Sequence, residues 1–454
     1  MAAPLSYNGQ KTIPTLWPER ILKRDFEVVL GKMLQPEQEK SDETEEPYLR
    51  SANVQWEGVD ISDIKTMWFS PRGKRELLLR PGDLVVNEGG DVGRCATWNG
   101  ELEACYFQNA INRVRPRRKA SARFLYYWLY NIKHAGFIDA IVGRTTIAHL
   151  TAEKLEGVPW PDVPPAEQQH IASYLDVSCA AIDAAVDAKR AQIETLDGVR
   201  REIIQKAVTC GLEERPTLKK TGNVWMNELP CRWELVSLKR VSEIQGGLTL
   251  GKIYEGPLIE RPYLRVANVQ DGHLNLQDVT TIEVPEEVAH RVELHPGDVL
   301  MTEGGDLDKL GRGTIWNGEI PDCLHQNHIF AIRCFKHKLL SAFLAYLTAS
   351  RYGRDYFEAT GKRTTNLAST NSTKVGLFPI PRPAIAEQRA ICRFLDEKLN
   401  HIAQILNGIE SQIATLTAYR KSLIHECVTG QRRVTEADLA WVGRGESNSS
   451  RPSR

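Results

Sequence analysis

The sequence has no long hydrophobic run and no patterned cysteines. None of its 454 residues lie in a stretch approaching the roughly 18 consecutive apolar residues that a membrane-spanning helix needs. The opening letters, MAAPLSYNGQKTIP, do not combine a basic start with an apolar block, so we expect no signal peptide. Nine cysteines occur without a C-x-x-C pair, which favours a reduced, cytoplasmic protein without zinc or disulfides.

The sequence also lacks the signatures of common active sites. It has no Asn/Asp-Pro-Pro-aromatic motif of methyltransferases, no H-E-x-x-H and no G-x-S-x-G. The letters GGLTLGKI at 246–253 approach a P-loop, but Ile253 stands where a P-loop needs Ser or Thr to hold magnesium. We therefore predict a chain that is not an enzyme and holds no metal or cofactor of its own.

Net charge is absent too, since 58 basic residues balance 58 acidic ones. This balance argues against a protein that coats nucleic acid without selection, because such proteins are usually basic overall. It still allows a protein that confines positive charge to one face. The length exceeds what one hydrophobic core usually serves, so two or more domains are expected.

What the sequence does contain is a long internal repeat. The letters PYLRSANVQ at 47–55 return as PYLRVANVQ at 262–270, and LRPGDLVVNEGGD at 79–91 returns as LHPGDVLMTEGGD at 294–306. WNGE and Gln-Asn recur in the same order, always about 215 to 220 residues later. That period is too long for a solenoid repeat and indicates a duplicated domain with small loop insertions.

A long helix is predicted at the end of each repeat. Both begin with related letters, PAEQQHIASYLD from Pro165 and IAEQRAICRFLD from Ile385. Apolar residues then recur every seven positions, which predicts a stripe that needs a partner helix. When the heptad positions of one helix are set against those of the other in reverse order, they predict antiparallel pairing, with Leu175 near Leu423 and Lys189 near Ile409. The expected pairing positions are Leu175, Ile182, Lys189, Leu196, Ile203, Leu395, Ile402, Ile409, Leu416 and Leu423.

The predicted fold class is α+β, because short β-rich runs between Pro-Gly and Gly-Gly turns precede helical stretches in each repeat. The polar letters GRGESNSSRPSR at the end cannot bury a core and predict disorder. The expected organisation is a globular domain (1–164), a long helix (165–210), a polar connector (211–240), a second globular domain (241–384), a second long helix (385–429) and a disordered tail (430–454).

Several groups of residues are candidates for DNA contacts, and each has a structural alternative. Six basic residues between 113 and 123, with no acid among them, suit phosphate contacts or a solvated surface. The paired glycines of the EGGD letters permit close approach to DNA or a tight turn. The Gln-Asn amides could pair with an adenine edge or cap strands. The candidates are Arg50, Asn53, Gly89, Gly90, Gln108, Asn109, Arg113, Arg115, Arg117, Arg118, Lys119, Arg144, Arg265, Asn268, Gly304, Gly305, Gln326, Asn327, Lys362 and Arg363.

The tandem order of domain, proline-rich step and EQ-headed helix resembles the specificity subunit of type I restriction–modification enzymes. The resemblance covers roughly residues 20 to 430 and depends on the two EQ motifs and the connector around 222–233. It implies two target-recognition domains on paired helices, which together read a bipartite, interrupted site in double-stranded DNA. It further implies two modification subunits that methylate adenine with S-adenosylmethionine, and restriction subunits that use ATP and magnesium.

Two other classes stay open at this point. The chain could be a methyltransferase fused to a reader, although it lacks the catalytic signature. It could also be a scaffold that binds partners through its helices without DNA. If the repeated letters contact bases, the two half-sites should be related as an imperfect inverted repeat; a shared scaffold is the competing explanation.

Overall fold

The structure, a computed structural model, describes residues 5–7, 10–13, 15–142, 148–305, 310–311, 313–363, 368–438 and 440. The chain divides into two compact units. Unit 1 contains Met1–Lys189 and Ser411–Arg454, and unit 2 contains Arg190–Glu410. Among the described residues, no helix is long and apolar enough to cross a membrane.

In the described part of unit 1, short strands and four short α-helices precede a long helix. The strands are β1 (Leu5–Tyr7), β2 (Gln10–Ile13), β3 (Glu19–Ile21), β4 (Phe26–Leu30), β5 (Thr44–Leu49), β6 (Val54–Gln55), β7 (Gly58–Val59), β8 (Lys65–Phe69), β9 (Leu84–Asn87), β10 (Cys95–Thr97), β11 (Tyr106–Phe107), β12 (Ile111–Pro116) and β13 (Pro159–Pro161). The helices are α1 (Pro71–Leu77), α2 (Ala122–His134), α3 (Phe137–Val142), α4 (Ala152–Glu156) and the start of α5 (Pro165–Cys210).

Unit 2 repeats this arrangement. Its strands are β14 (Leu218–Lys220), β15 (Glu228–Pro230), β16 (Glu234–Ser237), β17 (Ser242–Gly246), β18 (Ile259–Leu264), β19 (Thr280–Val284), β20 (Val299–Thr302), β21 (Gly304–Gly305), β22 (Gly313–Ile315), β23 (Leu324–His325), β24 (Ile329–Cys334), β25 (Lys362–Arg363), β26 (Ala368–Ser369) and β27 (Pro379–Arg382). Its helices are α6 (Glu286–Val292), α7 (Ser341–Ala349), α8 (Arg351–Thr360), α9 (Ser372–Leu377) and the start of α10 (Ile385–Val428).

The sheets of the two units have the same strand order. Unit 1 contains the antiparallel sheet β10-β9-β12-β4 beside β11-β5-β8, and unit 2 contains β22-β20-β24-β17 beside β23-β18-β19. Alternate residues of the central strand β9 enter different cores: Leu84 and Val86 pack with α2, while Val85 packs with Trp98. Side chains alternate between the two faces of a strand, so residues in two different cores mean that both faces of this sheet are buried. This explains why the sequence of the strand is almost continuously apolar.

The repeated Pro-Gly-Asp letters form the turn that leads into this central strand. Gly82 has φ 91° and Gly297 has φ 97°, a left-handed conformation that glycine adopts without the steric cost of a Cβ. The N–H of Trp98 then donates to the carbonyl of Asp83, and the N–H of Trp316 donates to that of Asp298. The turn letters are therefore required by the backbone.

The two EQ motifs fasten the long helices to their domains. The side chain of Gln168 accepts the N–H of Ser121, the N-cap of α2, at 2.8 Å and donates to the carbonyl of Val163 at 2.7 Å. Gln388 likewise accepts the N–H of Leu340, which precedes α7, at 2.9 Å. Both glutamines are buried, where an unmade hydrogen bond is costly, so this residue type is required by the fold.

Helices α5 and α10 contain 46 and 44 residues. In unit 1, Leu175, Ile182 and Leu423 pack in one core. In unit 2, Leu395 packs in a core to which Ile203 contributes. The remaining heptad positions are also buried or partly buried, namely Lys189, Leu196, Ile402, Ile409 and Leu416.

The seven-residue period identified only part of each apolar stripe. Ile171, Cys179 and Ile424 in unit 1, and Ile204 and Ile391 in unit 2, are buried as well. A helix facing a globular core needs a wider stripe than a coiled-coil seam does. The expected Lys189–Ile409 pair involves residues of different units and stays a prediction.

The expected polar connector is wrong in part, because its apolar residues enter the core of unit 2. Met226, Leu229 and Trp233 are buried there, and the Trp233 indole N–H donates to Glu387 at 3.1 Å. Strands β14 and β15 pair within the same segment. The connector is therefore a folded part of unit 2.

The expected disordered tail is also wrong for its first residues. Residues 430–438 are described, and Val434 packs against the core of unit 1. The Arg432 guanidinium lies 5.0 Å from the centre of the Tyr174 ring and pairs with Asp438 at 3.2 Å. A cation over a ring and an ion pair order this segment although its letters are polar. Residues 441–454 lie outside the described residues.

Candidate nucleic-acid interface

The first candidates, in the repeated PYLR-x-ANVQ letters, form a tight turn. The side chain of Asn53 accepts the N–H of Arg50 at 2.9 Å and donates to the carbonyl of Asp60 at 2.8 Å. Asn268 is bonded in the same way to Arg265 and Asn275 in unit 2. Both asparagines are buried, so the expectation that they contact DNA is wrong: their amides hold a turn whose backbone needs these bonds.

The two arginines of these turns are tied to aspartates. Arg50 pairs with Asp63 at 2.7 Å, and Arg265 pairs with Asp278 at 2.7 Å. Hydrogen bonds from Lys65 and then Arg50 lower the pKa of Asp63. These arginines are partly exposed, so a phosphate would have to compete with a carboxylate for each guanidinium.

Arg113 and Arg115 are structural residues, which corrects the first part of the predicted basic cluster. Arg113 is 3% exposed and donates to the carbonyl of Glu76 at 2.8 Å. Burial lowers the pKa of Arg113. Arg115 makes two hydrogen bonds of 2.6 Å to Asp83, which raise the pKa of Arg115. Both side chains point into the protein from β12, where pairing with carbonyl and carboxylate offsets the cost of burying charge.

The exposed part of the cluster is the short segment of residues 117–119, which we call the basic loop. Arg117, Arg118 and Lys119 are exposed between β12 and α2, and Arg118 has φ 62°. Arg123 instead stabilises the fold. Its Nε atom lies 2.6 Å from the Asp176 carboxylate, and its guanidinium carbon lies 4.3 Å from the centre of the Tyr126 ring. Three of the six basic residues are therefore exposed, while the other three are buried or partly buried in ion pairs.

The EGGD letters form the loop after the central strand in unit 1. Gly89 is buried, whereas Gly90 is exposed with φ 74°. The Glu88 carboxylate lies 2.9 Å from Nδ1 of His149, and the Glu88 carbonyl accepts the N–H of Leu150. The loop is therefore held against a segment some sixty positions later in the chain, which leaves Gly90 at the surface.

In unit 2 the same loop continues into a small sheet. Strand β21 (Gly304–Gly305) pairs with β26, which pairs with β25. Strand β26 therefore lies between the glycine strand and the strand that contains Lys362, which is exposed, and Arg363. One small sheet thus contains a glycine strand, which permits close approach of another backbone, and an exposed lysine, which suits a phosphate contact. The counterpart expected in unit 1, Arg144, lies outside the described residues.

The Gln-Asn letters form the turn that enters β12 and β24. The N–H of Gln108 donates to Leu49 at 3.0 Å and that of Asn109 donates to Lys32 at 2.8 Å, with Gln326 and Asn327 bonded to Leu264 and Leu248 in unit 2. A Cβ on Gly31 would lie 2.3 Å from the Gln108 carbonyl oxygen, so two backbones meet closely here. The four amide side chains are partly exposed.

Three of these features meet at one end of the sheet in each unit. In unit 1 the Glu88 N–H donates to the carbonyl of Ala110, and the Asn87 side chain donates to the carbonyl of Ser51. In unit 2 the backbone N–H of Glu303 donates to the backbone carbonyl of His328. We call this surface the turn end. In each unit it consists of the PYLR turn, the EGGD loop and the Gln-Asn turn. It combines exposed glycine, amides and guanidinium groups, which suits polar contacts with bases and phosphates.

The basic loop lies away from the turn end. Strand β12 starts at the Gln-Asn turn and runs to Pro116, directly before the basic loop. Six residues of strand span about 20 Å. The predicted candidates therefore divide into two surfaces of unit 1, the turn end and the basic loop.

Two histidines at the turn end have no counterpart in the repeated sequence motifs. His149 and His328 both place Nδ1 against the EGGD glutamate, at 2.9 Å and 2.6 Å. His328 directly follows the Gln-Asn letters, whereas His149 comes from a later segment. The repeat signal could not identify them because they occupy different positions in the two repeats. Among the described residues, no group of His, Cys, Asp and Glu could hold a metal ion.

Residues 17–195 match the model of a known family, the type I restriction modification DNA specificity domain. The chain is 26% identical over 206 residues to the putative type I restriction enzyme MjaX specificity subunit of Methanocaldococcus jannaschii, covering 45% of this chain and 47% of that protein. It is 23% identical over 412 residues to the type I restriction enzyme EcoKI specificity subunit of Escherichia coli K12, covering 87% and 84% of the two chains.

Two solved structures share the fold. One comes from work on complex assembly and conformational transition of the type I R-M system, with TM-score 0.69 at 16% identity over 92% of this chain and 99% of the other. The second is the HsdS subunit of Thermoanaerobacter tengcongensis, with TM-score 0.52 at 17% identity over 93% and 99%. At these identities the likeness concerns the fold.

Proposed function

We propose that this chain, which belongs to the family of type I restriction–modification specificity subunits, reads a bipartite site in double-stranded DNA through its two units. It is a non-catalytic subunit, and the chemistry belongs to its partners. The observation that carries the proposal is the turn end. In each unit the turn end is formed by the same sequence motifs at the equivalent end of the equivalent sheet. Its partly exposed amide side chains are Gln108, Asn109, Gln326 and Asn327.

We propose that the units are duplicated target-recognition domains and that α5 and α10 pair as an antiparallel coiled coil about a pseudo-two-fold axis. In support, unit 1 joins the first part of α5 to the last part of α10 in one core, while unit 2 joins the last part of α5 to the first part of α10. Helices of this length would act as a rigid spacer between the half-sites.

The proposed partners follow from the family. Two modification subunits, with S-adenosylmethionine, would methylate adenine in each half-site, and restriction subunits would supply ATP- and magnesium-dependent cleavage. The chain itself would carry no cofactor and act in the cytoplasm, where the DNA is. The long helices are the surface on which two like subunits could bind in related positions.

The test is to map methylated adenines in cells with and without this gene. The double variants Gln108→Ala/Asn109→Ala and Gln326→Ala/Asn327→Ala form a matched pair. Each should relax the sequence requirement in one half of the site and leave the other half intact, because each good base contact contributes about 1 to 3 kcal/mol of discrimination. Methylation that does not depend on this gene, or identical changes from both variants, would contradict the proposal and favour a scaffold.

A further inference from the structure

Unit 2 contains a cleft of about 830 Å³ between α7 and the long helices. Ile204 and Leu399 form apolar wall, while Tyr346 and Arg200 line it beside them. This volume falls within the range of clefts that bind small molecules or side chains. All of its lining residues belong to unit 2, so the cleft is a property of that unit alone.

Unit 1 fills the corresponding space with its own aromatic rings. Trp56 packs edge-to-face with Tyr126 and Tyr130, at ring-centre distances of 6.1 and 5.0 Å. The Arg420 guanidinium lies 5.1 Å from the centre of the Tyr130 ring. The Tyr126 hydroxyl donates to the Trp56 carbonyl at 2.7 Å and holds the loop that carries this indole.

The two places are equivalent by their hydrogen bonds as well as by sequence. The hydroxyl of Tyr127 donates to Asp176 in unit 1, and that of Tyr346 donates to Asp396 in unit 2. Arg200 precedes Ile203 on α5 just as Arg420 precedes Leu423 on α10. The bonds of Gln168 to Ser121 and of Gln388 to Leu340 set α2 and α7 in the same register.

This register explains why the cleft is open. In α7 of unit 2, alanines occupy the positions that large side chains occupy in α2 of unit 1. An aspartate of unit 2 likewise occupies the position of the tryptophan of unit 1. The replacements, from unit 1 to unit 2, are Arg123 to Ala342, Tyr126 to Ala345, Tyr130 to Ala349 and Trp56 to Asp271. Asp271 pairs instead with Arg354 at 2.7 Å, which leaves the space above the alanines open.

We propose that this cleft binds an aromatic side chain, an indole or a phenol, presented by a partner polypeptide, with Arg200 over the ring as Arg420 lies over Tyr130. The occupant of the equivalent place in unit 1 is a tryptophan on a loop. The ionised side chains of the cleft balance, which suits a neutral ligand rather than a nucleotide phosphate: Arg200, Arg201 and Arg354 against Asp197, Asp271 and Asp396. The proposal does not rest on DNA reading.

The test uses the full chain and N-acetyl-5-fluorotryptophanamide, a neutral probe followed by fluorine NMR. We expect saturable binding with Kd on the order of 0.1 to 1 mM for a ligand of this size. Ala349→Tyr restores the ring present in unit 1 and should abolish binding. Arg200→Ala should weaken binding about two- to fivefold, because it removes the cation–π interaction. Ala345→Leu is a smaller filling change that should also weaken binding.

The matched control is Ala184→Tyr, which adds the same ring to an exposed position of α5 in unit 1 and should leave binding unchanged. Thermal unfolding of each variant checks that it is folded. Absence of saturable binding, or binding that Ala349→Tyr and Ala345→Leu leave unchanged, would overturn the proposal. Tighter binding of 2-fluoroadenosine than of the tryptophan amide would overturn it in favour of a nucleobase.

Discussion

Replacing Arg115 by alanine should loosen unit 1 without directly removing a DNA contact. Arg115 makes two 2.6 Å hydrogen bonds to Asp83, whose side chain is 2% exposed. Removing one partner of a buried ion pair costs about 3 to 5 kcal/mol, because the remaining charge is buried without compensation. The arginine itself is 22% exposed, so water can reach the vacated space, and we expect a cost near the lower end, about 3 kcal/mol.

The assay is hydrogen exchange of the full chain, read at the amides of β9 and β12. A cost of about 3 kcal/mol corresponds to roughly a hundredfold faster exchange where opening of unit 1 controls it. Arg333→Ala is the matched variant, since Arg333 pairs with Asp298 at 2.8 Å, and it should act on β20 and β24 instead. Arg117→Ala, in the exposed basic loop, should change stability by no more than about 0.5 kcal/mol.

Unchanged exchange in β9 and β12 together with weaker DNA binding would contradict a structural role for Arg115. Arg115 would then bind phosphate, and its pairing with Asp83 would not persist in the complex. The double variant Arg115→Ala/Asp83→Asn should recover part of the stability, because it also removes the uncompensated charge.

Replacing the whole basic loop (117–119) by alanine should flatten the salt dependence of DNA binding by about 0.9 for each phosphate that the loop neutralises, and it should leave the site preference alone; an unchanged slope would mean that the loop does not bind phosphate. If the long helices pair as proposed, self-pairing of fragment 1–215 would bring two Lys189 side chains together, so fragment 222–430 should dimerise more tightly by about 1 to 3 kcal/mol, and Lys189→Ile should reduce this difference in dimer affinity measured by sedimentation. Burial lowers the pKa of His325 to about 4, so the unfolded chain takes up the proton first and about 3 kcal/mol of stability should disappear as the pH falls from about 6.5 to 4. His325→Phe, the residue type at the equivalent Phe107, should remove this dependence in thermal unfolding followed between pH 4 and 7; a variant with the same dependence would exclude His325 as its cause.

Features that depend on neighbouring residues or on repetition could be predicted from the sequence alone. The tandem EQ motifs predicted the family, and residues 17–195 match the model of the type I restriction modification DNA specificity domain. Heptad spacing and flanking prolines predicted the long helices, because helix periodicity and proline's effect on a helix start are local properties. The α+β class followed from short apolar runs between glycine turns, which fit the observed sheets.

Only the tertiary structure separated structural basic residues from exposed ones. Arg115 and Arg117 are near neighbours in the sequence, yet one binds buried Asp83 and the other is exposed. The partner carboxylate lies 32 positions earlier, in the turn that leads into β9, so no local pattern could reveal it. The role of Asn53 is hidden from the sequence in the same way, since its side chain closes a turn on the carbonyl groups of Asp60 and Asp63.

The difference between the two units also required the structure. In the sequence, Ala345 and Ala349 are ordinary helix-forming residues. Only their alignment with Tyr126 and Tyr130 of unit 1 shows that they leave a cleft open. Packing depends on which side chains meet across elements that are distant in sequence. Repetition in the sequence therefore determined what the two units share, while the contacts made after folding decided where they differ.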